Sequence, residues 1–291
     1  MSKKLRIEFG QEERTSSLEH YLKQIREATD WLEFKTLTKP QIAIVLGSGL
    51  TNLVSQISVE HEVDYKDIPH FPEATVKGHG GKLIFGMLNK KKVVVMSGRF
   101  HFYEGYSMKE VTFPIRVLKN LGCETIIITN ASGGLNPKIK VGELCVVRDH
   151  INLQPDNPLI GKNAEELGPR FPDQHAVYDK AMIDAAMKIA EKNKIVCHSG
   201  VYVSVLGPTF ETPAEYRYMH LIGGDCVGMS TVPEVIVANH AGMKIFCISV
   251  ICDEGNPKVA VKISHDEVVK AAQDAEPKMS LIIAELIAGL K

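Results

Sequence analysis

The sequence predicts an α/β protein whose sheet is mainly parallel and covered by helices on both faces. Apolar, β-branched runs such as 41–46 and 244–252 are typical of strands that are buried on both faces. Segments with helical spacing of apolar residues alternate with these runs, and four of the runs end in short polar turns. The 291 residues contain no linker, repeat or low-complexity tract, so we expect one domain over 1–291.

The elements alternate along the chain. The N-terminal segment 1–38 is predicted to be helical because apolar residues recur at helical spacing over 17–37. We predict strands at 41–50, 83–88, 92–97, 124–135, 143–153, 201–206 and 244–255. We predict helices at 108–121, 176–193 and 212–222, then a short strand before 228 and a helix after 231. The C-terminal segment 265–291 is predicted to be helical, and Pro277 should kink it or split it in two.

Composition excludes several classes of function. Hydrophobic residues make up 44% and charged residues 24% of the chain, as in ordinary globular proteins, and the net charge of −1 gives no reason to expect nucleic acid. The charged N-terminus lacks an apolar leader segment and no run of 18 apolar residues occurs, so we expect a cytoplasmic protein with no membrane partner. The six cysteines lack CxxC spacing and are expected to be free thiols, with no bound metal.

Four predicted strands end in small polar turns, at 47–49, 98–105, 129–134 and 228–231. Ligands of open α/β sheets collect at the carboxyl ends of the strands. The turns supply Ser48, Arg99, His101, Asn130 and Ser230, together with the backbone N–H of Ala131. A guanidinium fork, hydroxyls, backbone N–H groups and a histidine together suit a phosphate group.

Each of these turn residues also has a plainer interpretation. Ser48 and Asn130 fill turns readily, and Arg99 with His101 could form a surface ion pair. The segment GSGLTN lacks the third glycine of a dinucleotide fingerprint, and the chain has no GxxxxGK[ST] motif. The sequence therefore favours neither a Rossmann cofactor nor a nucleoside triphosphate.

A second group of residues suits a sugar and a flat base. Its amphipathic members could cover such a ligand or belong to the core; they are Tyr103, Phe171, Phe210 and Met229. Glu211 and Asp253 follow strands directly and could accept hydrogen bonds from the edge of a heterocycle. Alternatively, Glu211 is an acid in the first turn of a helix and Asp253 is a solvated loop residue. His265 follows the predicted N-cap Ser264 and would lie at the surface unless the loop folds back.

These turns belong to longer motifs that resemble the trimeric class of purine nucleoside phosphorylases. The motifs are GSGL, VKGHGGKL, GRFHFYEGY, TNASGGLNP, RDHINL, RFP, GPTFETPAE and GMSTVPEVIVANHAGM. They occur in the family's order over about 40–270, and several are long and contiguous. The resemblance implies one α/β domain with a mixed, twisted, barrel-like sheet flanked by helices, which periodicity alone does not predict.

The resemblance also implies a role for each candidate. The residues expected to bind phosphate are Ser48, His79, Arg99, His101, Asn130, Ala131 and Ser230. Those expected around the ribose are Tyr103, Met229 and His265, with Phe171 reaching into a neighbouring subunit's site. Those expected around the base are Ala131, Phe210, Glu211, Val227 and Asp253. His101, Glu211, Asp253 and His265 are the residues expected to take part in catalysis.

The reaction implied is reversible phosphorolysis of purine ribo- and deoxyribonucleosides, inosine and guanosine above all, in purine salvage. Phosphate attacks C1′ as the bond to the base breaks, giving the free base and α-(deoxy)ribose 1-phosphate. Inorganic phosphate is a co-substrate, and no metal or organic cofactor is expected. The resemblance further implies a homotrimer.

One position departs from the family's pattern. Where the family has Thr-Asn after the strand at 244–251, this chain has Cys252-Asp253. An ionised aspartate can only accept, which favours a 6-amino group, whereas a protonated one can donate to purine N7 as asparagine does. Burial beside Glu211 would push one of the two acids toward the protonated form. The hypothesis is that Asp253 is a protonated N7 donor or broadens the enzyme toward adenosine.

Four other functions compete with this one. A nucleosidase would use water and has less need of Arg99 and His101. A methylthioadenosine phosphorylase fits the acid at 253, but His265 is a polar partner for a 5′-hydroxyl, which a methylthio group lacks. A non-catalytic nucleoside-binding protein would bind base without turnover, and a Rossmann-type dehydrogenase would retain or reduce NAD.

Overall fold

The computed structural model describes residues 3–50, 52–73, 81–255 and 264–290, with side chains from residue 17 onward. The strands are β1 (Ile42–Val45), β2 (Ser58–Asp64), β3 (Lys82–Leu88), β4 (Lys91–Ser97), β5 (Thr125–Gly134), β6 (Leu144–Asn152), β7 (Cys197–Ser204), β8 (Cys226–Gly228) and β9 (Lys244–Glu254). The helices are α1 (Lys3–Thr36), α2 (Met108–Asn120), α3 (Lys180–Lys192), α4 (Pro213–Leu221), α5 (Val232–His240) and α6 (His265–Gly289). Short 3-10 helices lie at Asn52–Gln56, Tyr65–Asp67, Phe102–Glu104 and Glu165–Leu167.

Across the described ranges, all of these strands form one sheet in the order β2-β3-β4-β1-β5-β8-β7-β6-β9, and β9 returns to pair with β5. The strands β5, β8, β7, β6 and β9 therefore close into a barrel. Pairs β1–β4, β1–β5, β5–β9, β6–β7 and β7–β8 are parallel, whereas β2–β3, β3–β4, β5–β8 and β6–β9 are antiparallel. The mixed, barrel-like sheet implied by the resemblance is confirmed. Periodicity predicted a mainly parallel sheet, and five of these nine pairs are parallel; it did not predict the four antiparallel pairs, because an apolar run does not encode the direction of its neighbour.

Helices cover both faces of the sheet, and this explains why β1 is apolar at every position. Successive side chains of a strand point to opposite faces. Ala43 and Val45 join the core beneath α1, α2 and α5, whereas Ile42 and Ile44 join the core beneath α3 and α6. A strand with a core on each side needs an apolar residue at every position.

Three elements differ from their sequence predictions. The strand β2 was not predicted, because its first five residues are exposed and its sequence SVEHEVD is charged. The helix α1 begins at Lys3 rather than near residue 17. The helix α6 is one element through Pro277, so the predicted split is wrong; Pro277 itself is exposed, while apolar residues before and after it are buried.

The topology brings several strand ends to one side of the barrel. The strands β4, β1, β5 and β9 run parallel, so their carboxyl ends lie at the same edge. The end of β5 pairs with β8 through Gly133 and Val227, which joins the loops after β7 and β8 to that edge. β7 pairs in parallel with β8, so the loops that follow these two strands leave from the same edge.

Candidate active site

A cavity of about 330 Å³ opens where these strand ends meet. Most of the residues predicted to bind a ligand line it: Ser48, Arg99, His101, Tyr103, Asn130, Ala131, Phe210, Glu211, Val227, Met229, Ser230, Asp253 and His265. They come from turns that are distant in the sequence, and only the sheet brings them together. Ser132, Gly133 and Pro208, which sequence reasoning did not select, complete parts of the wall.

The buried guanidinium of Arg99 lies at one end of the cavity, and we call its surroundings with Ser48 and Ser230 the anion end. Only 2% of Arg99 is exposed. Its Nη1 donates to Ser230 Oγ at 3.0 Å and to Thr231 Oγ1 at 3.3 Å, and its Nη2 donates to the carbonyl of Thr129. Glu234 Oε2 lies 3.5 Å from Nη1 and balances the charge. The guanidinium is thus held in one orientation before any ligand binds.

The loop that carries Ser230 is itself held tightly. Thr231 adopts φ of 74°, a conformation that costs a β-branched residue free energy. Its N–H donates to Glu234 Oε2 at 2.9 Å, and its Oγ1 accepts from Asn130 Nδ2 at 3.0 Å. The amide nitrogen of Asn130 therefore supports Thr231, and a contact between Asn130 and phosphate stays a prediction. Thr231 and Glu234 were not selected from the sequence, since their roles depend on contacts across the sheet.

His101 is oriented by a neighbour three residues later. Its Nδ1 lies 2.9 Å from Glu104 Oε1, and its backbone N–H donates to the same oxygen at 2.8 Å. An ionised carboxylate only accepts, so Nδ1 carries the proton and Nε2 is the acceptor atom of the neutral ring. The ring stacks on Tyr103 with centroids 4.7 Å apart. Burial raises the pKa of Tyr103 to about 12, and the charge of Glu104 adds to this rise.

Two carboxyl groups also line the cavity, and we call Glu211 and Asp253 the acid pair. Burial raises the pKa of Glu211, and the negative charge of Asp253 adds to the rise. Burial also raises the pKa of Asp253, while a hydrogen bond from the Tyr216 hydroxyl at 3.0 Å opposes the rise. Both acids are therefore easier to protonate than ordinary carboxyl groups.

The residues predicted to contact a sugar include Met229 and His265, and both line the cavity. Met229 packs against Gly207, where φ is 68° and an added Cβ would clash with the Met229 side chain. His265 is the first residue of α6 and is exposed, as expected for a residue after the N-cap, and it also lines the cavity. Its position at a helix start is fixed by Ser264, whose Oγ accepts from the N–H of Glu267 at 3.3 Å.

Two predicted residues are not among those around this cavity. Phe171 is 87% exposed, and the guanidinium of Arg170 lies 5.5 Å from its ring centroid. An exposed phenylalanine is compatible with a contact to another subunit, which stays a prediction. His79 lies outside the described residues.

In the described parts of the chain, no group of three or more His, Cys, Asp or Glu side chains could hold a metal ion. Among the described helices, none combines the length and apolar character needed to cross a bilayer. The six cysteines are free thiols, as predicted.

Comparison with known proteins places this site in a family. Residues 41–288 match the family described as the Phosphorylase superfamily. Purine nucleoside phosphorylase 1 of Bacillus subtilis is 45% identical over 91% of this chain and 98% of its own length, and the rat purine nucleoside phosphorylase is 43% identical over 91% and 94%. The chain therefore belongs to the phosphorylase superfamily and, within it, to the purine nucleoside phosphorylases.

Solved structures agree with this placement. A Schistosoma mansoni purine nucleoside phosphorylase in complex with adenosine is 38% identical with a TM-score of 0.88, covering 92% of this chain and 98% of its own. Isoform 2 from the same organism, in complex with cytosine and ribose-1-phosphate, is 39% identical with a TM-score of 0.88, covering 92% and 97%. The predicted nucleoside phosphorylase fold is confirmed.

Inorganic phosphate is expected to raise the unfolding temperature of the protein, and Arg99→Lys should remove most of this rise. Lysine keeps one charge but lacks the fork that binds two phosphate oxygens. Thermal unfolding at increasing phosphate concentrations measures the effect, with each variant compared to its own phosphate-free state. The exposed Arg148 provides the control, since Arg148→Lys should keep the full rise. An undiminished rise in Arg99→Lys would contradict a phosphate role for the anion end.

Proposed function

We propose that this protein catalyses the reversible phosphorolysis of purine ribo- and deoxyribonucleosides in purine salvage. The observation that carries the proposal is one cavity lined both by a buried guanidinium and by two easily protonated carboxyl groups. A dianion suits the guanidinium, and the polar edge of a purine suits the carboxyl groups. The relative solved with ribose-1-phosphate supports the assignment of products.

Phosphate would bind at the anion end. Arg99 offers its charge and Ser48 and Ser230 their hydroxyls, and the N–H of Ala131 supplies a backbone donor. His101, with its proton on Nδ1, can accept through Nε2 from a monoprotonated phosphate. His79 is proposed to approach from the segment outside the described residues.

The nucleoside would lie across the cavity, its ribose against Tyr103, Met229 and His265 and its base between Phe210 and Val227. The electron pair of the bond from C1′ to N9 moves into the purine while a phosphate oxygen bonds C1′ from the opposite face. Positive charge develops on the sugar beside the phosphate dianion, and negative charge develops on the purine beside the acid pair. Groups placed in advance where charge develops lower the barrier.

Protons balance over the turnover without a further reactant. The monoprotonated phosphate gives its proton to His101 Nε2 as its oxygen bonds C1′, and the purine takes a proton from Asp253 at its imidazole ring. His101 then releases its proton to solvent, and Asp253 regains one from solvent. Inorganic phosphate is thus the co-substrate, and we propose that no metal or organic cofactor takes part. Arg99 stabilises the negative charge of phosphate, and Asp253 stabilises the negative charge that develops on the purine.

Asp253 makes adenosine the second candidate substrate beside inosine and guanosine. A neutral Asp253 donates to N7 of any purine, whereas an ionised one accepts from a 6-amino group. A relative at 38% identity was solved with adenosine, which favours weighing this candidate. Methylthioadenosine is less well matched, because His265 offers a polar partner for a 5′-hydroxyl at the cavity.

The direct experiment is release of free base from inosine, guanosine and adenosine, each with and without phosphate. Release that requires phosphate supports phosphorolysis, and the ranking of substrates reports the base preference. Release without phosphate would make the protein a nucleosidase. Base binding without any release would favour the non-catalytic nucleoside-binding protein.

Asp253→Asn should lower the ratio of adenosine to inosine kcat/KM and flatten the alkaline limb of the inosine pH profile. Asparagine donates to N7 at every pH through its amide nitrogen, and only its neutral carbonyl oxygen, a weaker acceptor than a carboxylate, remains for a 6-amino group. Asp253 loses its proton as the pH rises through its raised pKa, so the rate of the wild-type enzyme should fall over that pH range. The control is Glu254→Gln, which removes the adjacent exposed acid. An unchanged ratio together with an unchanged profile would refute the role of Asp253.

A homotrimer in the cytoplasm remains part of the proposal, as does a single nucleoside phosphorylase domain over 1–291. Its testable contact is Phe171, which is 87% exposed and packs with no core. If Phe171 closes a neighbouring site, Phe171→Ala should raise the nucleoside KM about tenfold with little change in kcat, since about 1.4 kcal/mol of apolar contact is lost. Light scattering gives the mass of the assembly. Leu221→Ala, which alters another strongly exposed residue, should leave KM unchanged; equal KM in both variants would contradict the contact.

A further inference from the structure

The Tyr216 hydroxyl lies between the two members of the acid pair, although no sequence motif pointed to it. Tyr216 stands in the helix α4, and 6% of it is exposed. Its hydroxyl donates to Asp253 Oδ1 at 3.0 Å and also interacts with the Glu211 carboxyl. The three groups come from the loop before α4, from α4 itself and from the end of β9.

The position of this hydroxyl is fixed by glycines on both sides. The Tyr216 ring packs so closely on Gly255 that an added Cβ there would overlap the ring. The Asp253 carboxyl packs on Gly133, where an added Cβ would lie 3.0 Å from Oδ1 and 3.2 Å from Oδ2. These contacts restrict the movement of both groups, and Tyr216 engages Oδ1 of Asp253 rather than Oδ2.

Proton counting couples the three groups. A phenol has one proton, so Tyr216 donates fully to only one carboxylate at a time: it donates to Asp253 Oδ1, and its interaction with Glu211 also favours the ionised form of that acid. Burial and the charges of the two carboxyls raise the pKa of Tyr216, which therefore stays protonated throughout the working range. The other charge acting on Glu211 is that of Glu215, and it is also negative; Cys252 beside Asp253 has a pKa raised by burial to about 12 and stays neutral.

We propose that Tyr216 is a positioning residue for purine recognition: it fixes Asp253 so that Oδ2 meets the N7 edge of the base, and it makes Glu211 and Asp253 titrate as one unit. The proposal rests on the proposed phosphorolysis. During cleavage, Asp253 Oδ2 gives its proton to N7 while the Tyr216 proton stays on Oδ1 and stabilises the carboxylate that forms. Glu211 meanwhile accepts from N1–H of a 6-oxopurine.

The consequence is a specific shift in the pH profile. A hydrogen bond donated to a carboxylate favours its ionised form, so removing the phenol raises the pKa of both acids. The acid limb of the profile reports ionisation of Glu211, and the alkaline limb reports loss of the Asp253 proton. Because the two groups are coupled, the apparent pKa of each limb belongs to the pair and not to one residue. Both limbs of the inosine profile should therefore move to higher pH together.

The experiment measures kcat/KM for inosine against pH in wild type, Tyr216→Phe and Tyr218→Phe. For Tyr216→Phe we expect both limbs to move up by about one pH unit, and kcat to fall about tenfold, as for one charge-assisted hydrogen bond. Tyr218 lies on the same helix but is 52% exposed, so its variant should match the wild type. A uniform loss of rate with unmoved limbs would overturn the proposal and leave Tyr216 a packing residue.

A second variant guards against misfolding. Replacement of Tyr216 by 3,5-difluorotyrosine keeps the ring and strengthens the donor, so both limbs should move to lower pH; unmoved limbs would again overturn the proposal. Calorimetric titration with hypoxanthine over the same pH range reports the protonation of the acid pair in the absence of turnover. A wild type that binds hypoxanthine but releases no base in phosphate would count against the proposed function, whereas equal pH dependence of binding in wild type and Tyr216→Phe would count against Tyr216.

Discussion

The site depends on one buried charge, the guanidinium of Arg99. Its ion pair with Glu234 is almost fully buried on both sides, at 1% and 3% exposure of the side chains. Removing one partner from such a pair typically costs about 3–5 kcal/mol, because the other charge stays buried without compensation. The same Glu234 carboxylate holds the N–H of Thr231, whose hydroxyl in turn accepts from Arg99 and Asn130. The anion end is therefore assembled by the fold before a ligand arrives.

The acid pair has the opposite electrostatic character. Burial keeps Glu211 and Asp253 easily protonated, and the charge of Asp253 strengthens the effect at Glu211. In the proposed binding mode, phosphate meets the positive charge of Arg99 and the base meets the acid pair. Cleavage of a glycosidic bond places positive charge on the sugar and negative charge on the base, so this binding mode would stabilise the transition state more than the ground state.

The sequence predicted the parts of the fold that local pattern determines. β1 and the central parts of β5 and β9 are mainly apolar because both faces of each are covered, and residues at the ends of these strands line the cavity. Strand direction was not predictable from pattern, because the three-residue β8 pairs antiparallel with β5 only through tertiary contact. β2 was missed because an exposed, charged edge strand shows no apolar alternation.

The sequence predicted site residues that lie at strand ends. It did not predict residues that act through contacts with other residues. Ser48, Arg99 and Ser230 follow strands directly and were found. Tyr216 lies inside a helix, and its distance to Asp253 depends on how α4 packs against the end of β9. Spacing along the chain carries no such information, so only the structure relates these two residues.

The central claim is that phosphate, and not water, attacks C1′. The most direct measurement is cleavage of inosine in phosphate that carries ¹⁸O at all four oxygens, followed by NMR detection of the isotope shift at C1 of the sugar product. The account predicts α-ribose 1-phosphate with ¹⁸O bonded to C1, because the attacking oxygen comes from the anion held by Arg99. Ribose whose C1 oxygen comes from unlabelled water would contradict it.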